Sequence, residues 1–200
     1  MNVNEEKQFL REKIWRLMTE KNVARFPLPC WGRIPNFVGA EAAAEKLRQL
    51  KEWRNAKTIF VNPDAPQRKV RENALKDGKN LVVASPKLEK GFFLINPLKV
   101  KGKESYASTI KGIFHFGAET HSFLKPDLVV EGSVAVDLMG HRLGKGHGYG
   151  DVEIRMLRKM FGELIIATTV HDLQVVEKVP FSEKDEKISI IVTPTRVIYV

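Results

Sequence analysis

Helix-forming stretches and short apolar runs take turns along this 200-residue chain, and that alternation restricts it to few architectures. AEAAAEKLRQLKEW, residues 40–53, is built of strong helix formers and runs into KTIFVNP, an apolar strand closed by proline. RKVRENALKDGKNLVVASP repeats the order, with a helix to about Lys76, Gly78 as its stop, and a strand around Leu81 to Ala84. DLVVEGSVAVD, residues 127–137, and ELIIATTV add further β-prone runs. Apolar strands alternating with helices predict a three-layer α/β/α sandwich with a mostly parallel sheet, here a single domain over residues 1–200. A hydrophobic content of 43% is enough for its core.

The flanking segments are read in the same way. Residues 4–21 predict a helix, because Leu10, Ile14, Leu17 and Met18 fall on one stripe. Lys7 and Arg11, four apart, share a face; like charges there repel mildly, so the pair is either solvated, the simpler reading, or set to meet an anion. Residues 25–41 carry three prolines and two glycines and exclude a regular element, with Trp31, Arg33 and Phe37 pinning the segment rather than lining a cleft. GFFLINP reads as another strand and KVKGKES as a solvated turn. His115 and His121 have no partner at a metal-ligand spacing, which favours structural or exposed roles. The single cysteine, Cys30, can form no internal disulfide and reads as a packing residue. KVPFSEKDEKISIIVTPTRVIYV places Asp185 in an acidic turn before one or two closing strands.

Composition excludes some classes outright. No apolar run reaches the length of a membrane span, and the N-terminus, charged from its fifth residue, lacks the pattern of a secretory signal. A soluble, cytoplasmic protein with no membrane partner is expected. The net charge of +9 and pI near 9.6 favour polyanionic partners. Basic residues are spread along the chain rather than gathered in a tail, so nucleic acid is admitted but not favoured.

GHRLGKGHGYGD, residues 140–151, is the stretch that invites chemistry. It holds five of the fourteen glycines, interleaved with Arg142, Lys145 and two histidines. Glycines at alternate positions let successive N–H groups turn toward one concavity. Asp151 stands at the expected N-cap of a helix whose stripe is Val152, Ile154, Leu157 and Phe161, and a helix N-terminus adds positive potential. The spacing matches neither GxGxxG nor GxxxxGK[ST]. From the residues alone, an anion cradle and a mobile surface connection both stay open.

The same stretch resembles the GxRLGxGxGYYD signature of the 5-formyltetrahydrofolate cyclo-ligases, or methenyltetrahydrofolate synthetases. Supporting matches fall in order: Lys7-x-x-x-Arg11, the GSVAVD strand before the loop, Gln174, the Val179-Pro180 pair, and Asp185 before IxxIVT. RIPNFVGA, VNPDAP and GKGHGY look most like the methenyltetrahydrofolate synthetase domain-containing branch, whose vertebrate members add an RNA-recognition module not expected within these residues.

The resemblance implies a fold like the sugar-phosphate isomerase and coenzyme A transferase group (NagB/RpiA/CoA transferase-like). It also implies MgATP-driven cyclisation of 5-formyltetrahydrofolate to 5,10-methenyltetrahydrofolate through an imidate phosphate, with ATP and a reduced folate as partners and a monomer or homodimer as the unit. Lys7, Arg11 and the loop residues Arg142, Leu143, Gly144, Lys145, Gly146, His147, Gly148, Tyr149, Gly150 and Asp151 would bind the nucleotide. Arg142, Lys145 and Tyr149 would be catalytic, and Asp151 and Asp185 would hold Mg²⁺, which suits hard oxygen ligands. Related activity on another pterin or amide, or a noncatalytic RNA- or protein-binding role, is the alternative. Two positions depart from the family pattern: Gly150 replaces the second loop tyrosine, and Lys69 aligns with a folate-contacting glutamate.

Overall fold

The computed structural model describes residues 2–200. Helix α1, Val3–Glu20, opens on a capping box in which Asn2 and Glu5 each accept the other's backbone N–H. Its buried stripe is Leu10, Ile14, Trp15 and Met18. Trp15 takes the place expected of Leu17, which lies at the margin. The proline-rich segment is closed by a two-residue antiparallel ribbon, β1 (Ala24–Arg25) with β2 (Asn36–Phe37). Cys30, Ile34 and Phe37 are buried, so the segment is pinned to the core as expected, while Trp31 stays exposed against Trp15.

The single helix expected over residues 40–53 is two, α2 (Ala40–Arg48) and α3 (Lys51–Asn55). Leu50 is extended at φ −71°, ψ 150°, and the break turns Trp53 into the core, where its indole N–H donates to Asp77. Next come β3 (Thr58–Val61), α4 (Arg68–Lys76), β4 (Asn80–Ala84), β5 (Phe92–Ile95), α5 (Glu104–Ala107), α6 (Ile110–Phe116) and β6 (Ala118–Thr120). The expected long run 127–137 is also two strands, β7 (Leu128–Glu131) and β8 (Ala135–Asp137). They part at Gly132, where a Cβ would lie 2.7 Å from Asn62 Nδ2 and 2.9 Å from Ile34 Cγ2. The chain ends with β9 (Arg142–Leu143), α7 (Tyr149–Phe161), β10 (Ile166–Thr169), β11 (Val175–Val176), β12 (Ile190–Val192) and β13 (Val197–Tyr199).

Eight strands form the main sheet in the order β13-β12-β10-β7-β3-β4-β5-β6. The five central strands run parallel, and β13, β5 and β6 join antiparallel at the edges. Side chains alternate between two cores: Ile59, Val61, Leu81, Val83 and Val130 face α1, α2 and α4, whereas Phe60, Val82, Val129 and Ile191 face α7. Both faces are thus covered, which is why the central strands are mostly apolar, with Thr58, Glu131, Thr168 and Thr169 as their buried polar residues. A second sheet, β11-β8-β9, carries the entry to the glycine-rich loop.

Strand order also locates the functional end of the domain. From β3 the sheet grows one way to β4, and β7 then returns to the other side of β3. The crevice beyond the carboxyl ends of β3 and β7 is therefore the topological switch point, where ligands bind in open α/β sheets.

Candidate functional site

A cleft of about 360 Å³ occupies that switch point. Asn62, Pro63 and Asp64 enter it from the end of β3, Pro86 and Lys87 from beyond β4, and Glu131 and Gly132 from the end of β7. The facing wall is the glycine-rich segment, with Arg142, Gly144, Lys145, His147, Gly148, Tyr149, Gly150 and Asp151, followed by Glu153 on α7. Gly32 and Ile34 close one side, so the pinned proline-rich segment also borders the cleft.

Arg142 is the floor of this wall. It is 4% exposed; Nη1 donates to Gly132 O at 3.0 Å and Nη2 to Asp151 Oδ1 at 2.9 Å, while Nε has no partner. Burial opposes its charge, but Asp151 and Glu131 outweigh that and raise its pKa further. Above it, Gly148 is left-handed (φ 72°) and caps α7, whose first intrahelical bond is Val152 N–H to Gly148 O. The N–H groups of the first turn, residues 149–151, have no intrahelical acceptor, and with the helix dipole they favour an anion.

Asp151 is not the N-cap. It lies in the first turn of α7, accepting from Arg142 and from the Glu186 backbone N–H at 3.1 Å, both on Oδ1. The helix begins earlier because left-handed Gly148 can cap it without a side chain. The expected inward stripe is corrected at one place too: Val152 is 36% exposed and Glu153 is buried in its stead.

Lys7 and Arg11, far from the loop in sequence, are brought to it by α1. Arg11 Nε donates to Gly144 O at 2.8 Å, and Lys7 pairs with Asp185. Ser182 donates to the same Asp185 oxygen through its N–H and hydroxyl. Burial pushes Asp185 upward, but Lys7 and Ser182 hold it below the usual carboxylate range. Because Glu186 N–H bonds Asp151, the two aspartates expected to hold metal sit on adjoining segments, and each has one oxygen with no hydrogen bond among the described residues. Leu143 is in the core and supports the loop from beneath, Gly146 lies beside Arg11, and exposed His147 stacks on Tyr149.

Four cleft residues escaped the reading by motif: Asn62, Asp64, Glu131 and Glu153. Asp64 pairs with Lys145 at 2.9 Å and accepts from Asn62 at 2.8 Å. The fully buried Arg71 steadies that turn, donating to the carbonyls of Asn62, Asp64 and Ser108. Glu131 and Glu153 are within hydrogen-bonding reach of each other; burial raises Glu153 to about 7 and Glu131 well above the carboxylate range. The signal for Glu131 was its charge inside an otherwise apolar strand. Lys69, by contrast, does not line the cleft and pairs with Glu72.

Gly150 packs directly against the Arg142 guanidinium. A Cβ there would meet the Arg142 guanidinium at 2.8–3.1 Å, and that guanidinium is held by two hydrogen bonds. Gly150→Ala is expected to displace Arg142 from Asp151, lowering stability by about 1–3 kcal/mol and weakening binding of an ATP analogue at least tenfold. A urea melt and a titration check both; an unaltered affinity would show that Arg142 yields freely.

The chain is similar to known proteins over nearly its whole length. Residues 3–194 match the 5-formyltetrahydrofolate cyclo-ligase family. Methenyltetrahydrofolate synthase domain-containing proteins of Bos taurus and Mus musculus are 41% and 42% identical over 96% of this chain. The chain spans about half the length of these curated relatives, 53% and 54%. The Aquifex aeolicus 5,10-methenyltetrahydrofolate synthetase structure is similar with a TM-score of 0.61 at 22% identity, covering 96% of this chain and 92% of that one. The Mycoplasma pneumoniae 5,10-methenyltetrahydrofolate synthetase is similar at TM-score 0.55 and 14% identity, covering 96% and 98%. The two structures share the fold. Matched over nearly its whole length and more than 40% identical to two relatives that carry the domain, the chain belongs to the 5-formyltetrahydrofolate cyclo-ligase family.

Proposed function

We propose that the chain catalyses the ATP-dependent cyclisation of 5-formyltetrahydrofolate to 5,10-methenyltetrahydrofolate. The observation that carries this is buried Arg142, charged and fixed beneath the N-terminus of α7, with Nε unpartnered. In the reaction the formyl oxygen attacks the γ-phosphorus and ADP departs; N10 then adds to the activated formyl carbon, and the ring closes as phosphate leaves and N10 gives up its proton. This needs alignment and charge neutralisation more than a protein nucleophile. Arg142 and the first N–H groups of α7 would bind the phosphoryl oxygens, and Lys145 would leave Asp64 to follow the transferred group. Arg11 steadies the loop through Gly144 O.

Magnesium would neutralise phosphate charge. The residues present fit a metal carried in with the nucleotide: no group of three or more metal-ligating side chains exists among the described residues, while Asp151 and Asp185 each offer one oxygen. That suits Mg²⁺, which is often held by one or two carboxylates plus phosphates and water. No helix among the described residues is long and apolar enough to cross a membrane.

Incubation with MgATP and 5-formyltetrahydrofolate is expected to generate the methenyl chromophore; no absorbance growth at high protein concentration would remove the proposal. Lys145→Ala should lower kcat by about 10²- to 10³-fold. Its melting temperature should barely move, because the partly exposed pair with Asp64 contributes about 0–1 kcal/mol. Near wild-type turnover would place the phosphate contact elsewhere.

A second reading keeps the nucleotide and changes the acceptor to another pterin or an amide. It is favoured by the buried carboxyls Glu131 and Glu153, which set acidic side chains beside Arg142 in the cleft wall. A noncatalytic RNA-binding role is less favoured: Arg142, Lys145 and Lys7 are each tied to a carboxylate, an arrangement for one ordered anion rather than a backbone track.

A further inference from the structure

Arg71, on α4, is 2% exposed and does not line the cleft, yet two of the residues it bonds do. All three of its hydrogen bonds go to main-chain carbonyls: Nη1 donates to Asn62 O at 2.6 Å and to Asp64 O at 3.0 Å, and Nε to Ser108 O at 2.8 Å. Burial pulls its pKa down to about 9, against the raising charge of Asp64, and leaves it charged at neutral pH. A buried cation with no carboxylate bonded to it is costly to keep, and an apolar side chain of similar volume would serve packing alone.

The fork shows what the charge is kept for. Asn62 and Asp64 flank Pro63 in the turn that follows β3, where the sheet ladder no longer fixes the chain. Nη1 holds a carbonyl on each side of that proline. Ser108 closes α5, and Thr109 then caps α6 by accepting from Gly112 N–H, so that Ile110, which lines the cleft, is set by the same junction. One rigid guanidinium therefore fixes the β3 turn and the start of α6 relative to each other.

Its influence reaches the cleft through Asp64. Oδ2 of Asp64 accepts from Asn62, and Oδ1 accepts from Lys145, the residue that the proposed reaction draws away to the phosphoryl group. Once Lys145 leaves, the positive charge of Arg71 stays behind Asp64, and the carboxylate is not left uncompensated beside bound polyphosphate.

We propose that Arg71 is a positioning residue: acting through Asp64, it fixes the point from which Lys145 is delivered to the transferred phosphoryl group. This rests on the cyclo-ligase reading and deepens it, by adding a residue that acts from behind the cleft wall. Lysine is not a substitute, because an ammonium has no planar fork with which to hold three carbonyls from two segments.

A double-mutant cycle with Lys145→Ala separates positioning from a purely structural role. Arg71→Lys is expected to lower kcat by about 30-fold with KM for ATP nearly unchanged, urea melts reporting the folded fraction. In the Lys145→Ala background the same substitution should lower kcat by no more than about threefold further, because the group it positions is gone. Equal losses in the two backgrounds overturn the inference. Should Arg71→Lys fail to fold, Asp64→Asn supplies the same cycle, since the three bonds of Arg71 go to main-chain oxygens and survive it. Its expected loss is about tenfold with Lys145 present and about none without it, and additivity there overturns the inference equally. Binding of MgADP with fluoroaluminate, a mimic of the phosphoryl group in transfer, repeats the cycle without turnover. Arg71→Lys should weaken it about tenfold only where Lys145 is present. Coupled losses in this binding with no methenyl product from wild type leave Arg71 its role and remove the cyclo-ligase reading. Methenyl product with additive losses keeps that reading and removes the role.

Discussion

Arg142→Met is expected to abolish measurable cyclisation, a fall of 10³-fold or more, and to cost about 3–5 kcal/mol of stability. The size of both effects comes from burial. At 4% exposure the guanidinium satisfies Gly132 O and Asp151, and its charge is set against Glu131 and Glu153. Removing it strands a carbonyl and leaves carboxyls without the nearest cation. Arg142→Lys should not rescue, since an ammonium cannot bond Gly132 O and Asp151 at once while still offering a further N–H from a fixed plane. Chromophore assays and urea melts on the two variants check this. Activity within tenfold of wild type in either would mean that Arg142 is a structural strut and the phosphoryl group is held elsewhere.

The second large effect is on stability against pH. Burial raises Glu153 to about 7, from an ordinary value of 4.5, and raises Glu131 well above its own, helped by the charge of Glu153. Between the unfolded and folded values the native state holds protons that the unfolded chain has released, so stability is lost as pH rises through that window. For Glu153 alone the linkage is on the order of 3 kcal/mol between pH 4.5 and 7. In a chain of this size that corresponds to a drop of roughly 6–12 °C in melting temperature. Asp185, Asp137 and Asp172, all held below their usual range, act in the opposite sense and lose their contribution as pH falls below 3.8. Maximum stability of the ligand-free chain is therefore expected near pH 5. Calorimetry at pH 5, 6, 7 and 8 measures it, and Glu131→Gln should flatten the alkaline limb. A melting temperature that is level or rises from pH 5 to 8 would contradict the buried pair.

Much of the fold was readable because its elements obey local rules. β3, β4, β7 and β10 are mostly apolar on both faces, α4 stops near Gly78, and α1 has its stripe within its own residues and its cap at Asn2 just before them. Misjudged places were those where distant contacts overrode local preference. Residues 40–53 are good helix formers throughout, yet Trp53 and Arg48 both reach Asp77 and the helix breaks at Leu50. Residues 127–137 have uniform β propensity, but close packing of Gly132 against Asn62 and Ile34 sends the second half into another sheet. Asp151 resembles a cap by spacing alone, and only the positions of Arg142 and Glu186 give it other work.

By itself the sequence determined the layer architecture, the glycine-rich turn before a helix, and the family to which its spacing belongs. Those depend on periodicity, backbone freedom and residue order, all of which are local. Tertiary structure decided how the charges are paired: Lys7 with Asp185, Lys145 with Asp64, and Arg142 between Asp151 and Gly132. It also decided that Glu131 and Glu153, 22 positions apart, meet in the cleft wall. A charge in a strand and a charge on a helix look like solvated residues when read singly. Only the return of β7 beside β3, with α7 packed across them, buries both and sets them beside each other.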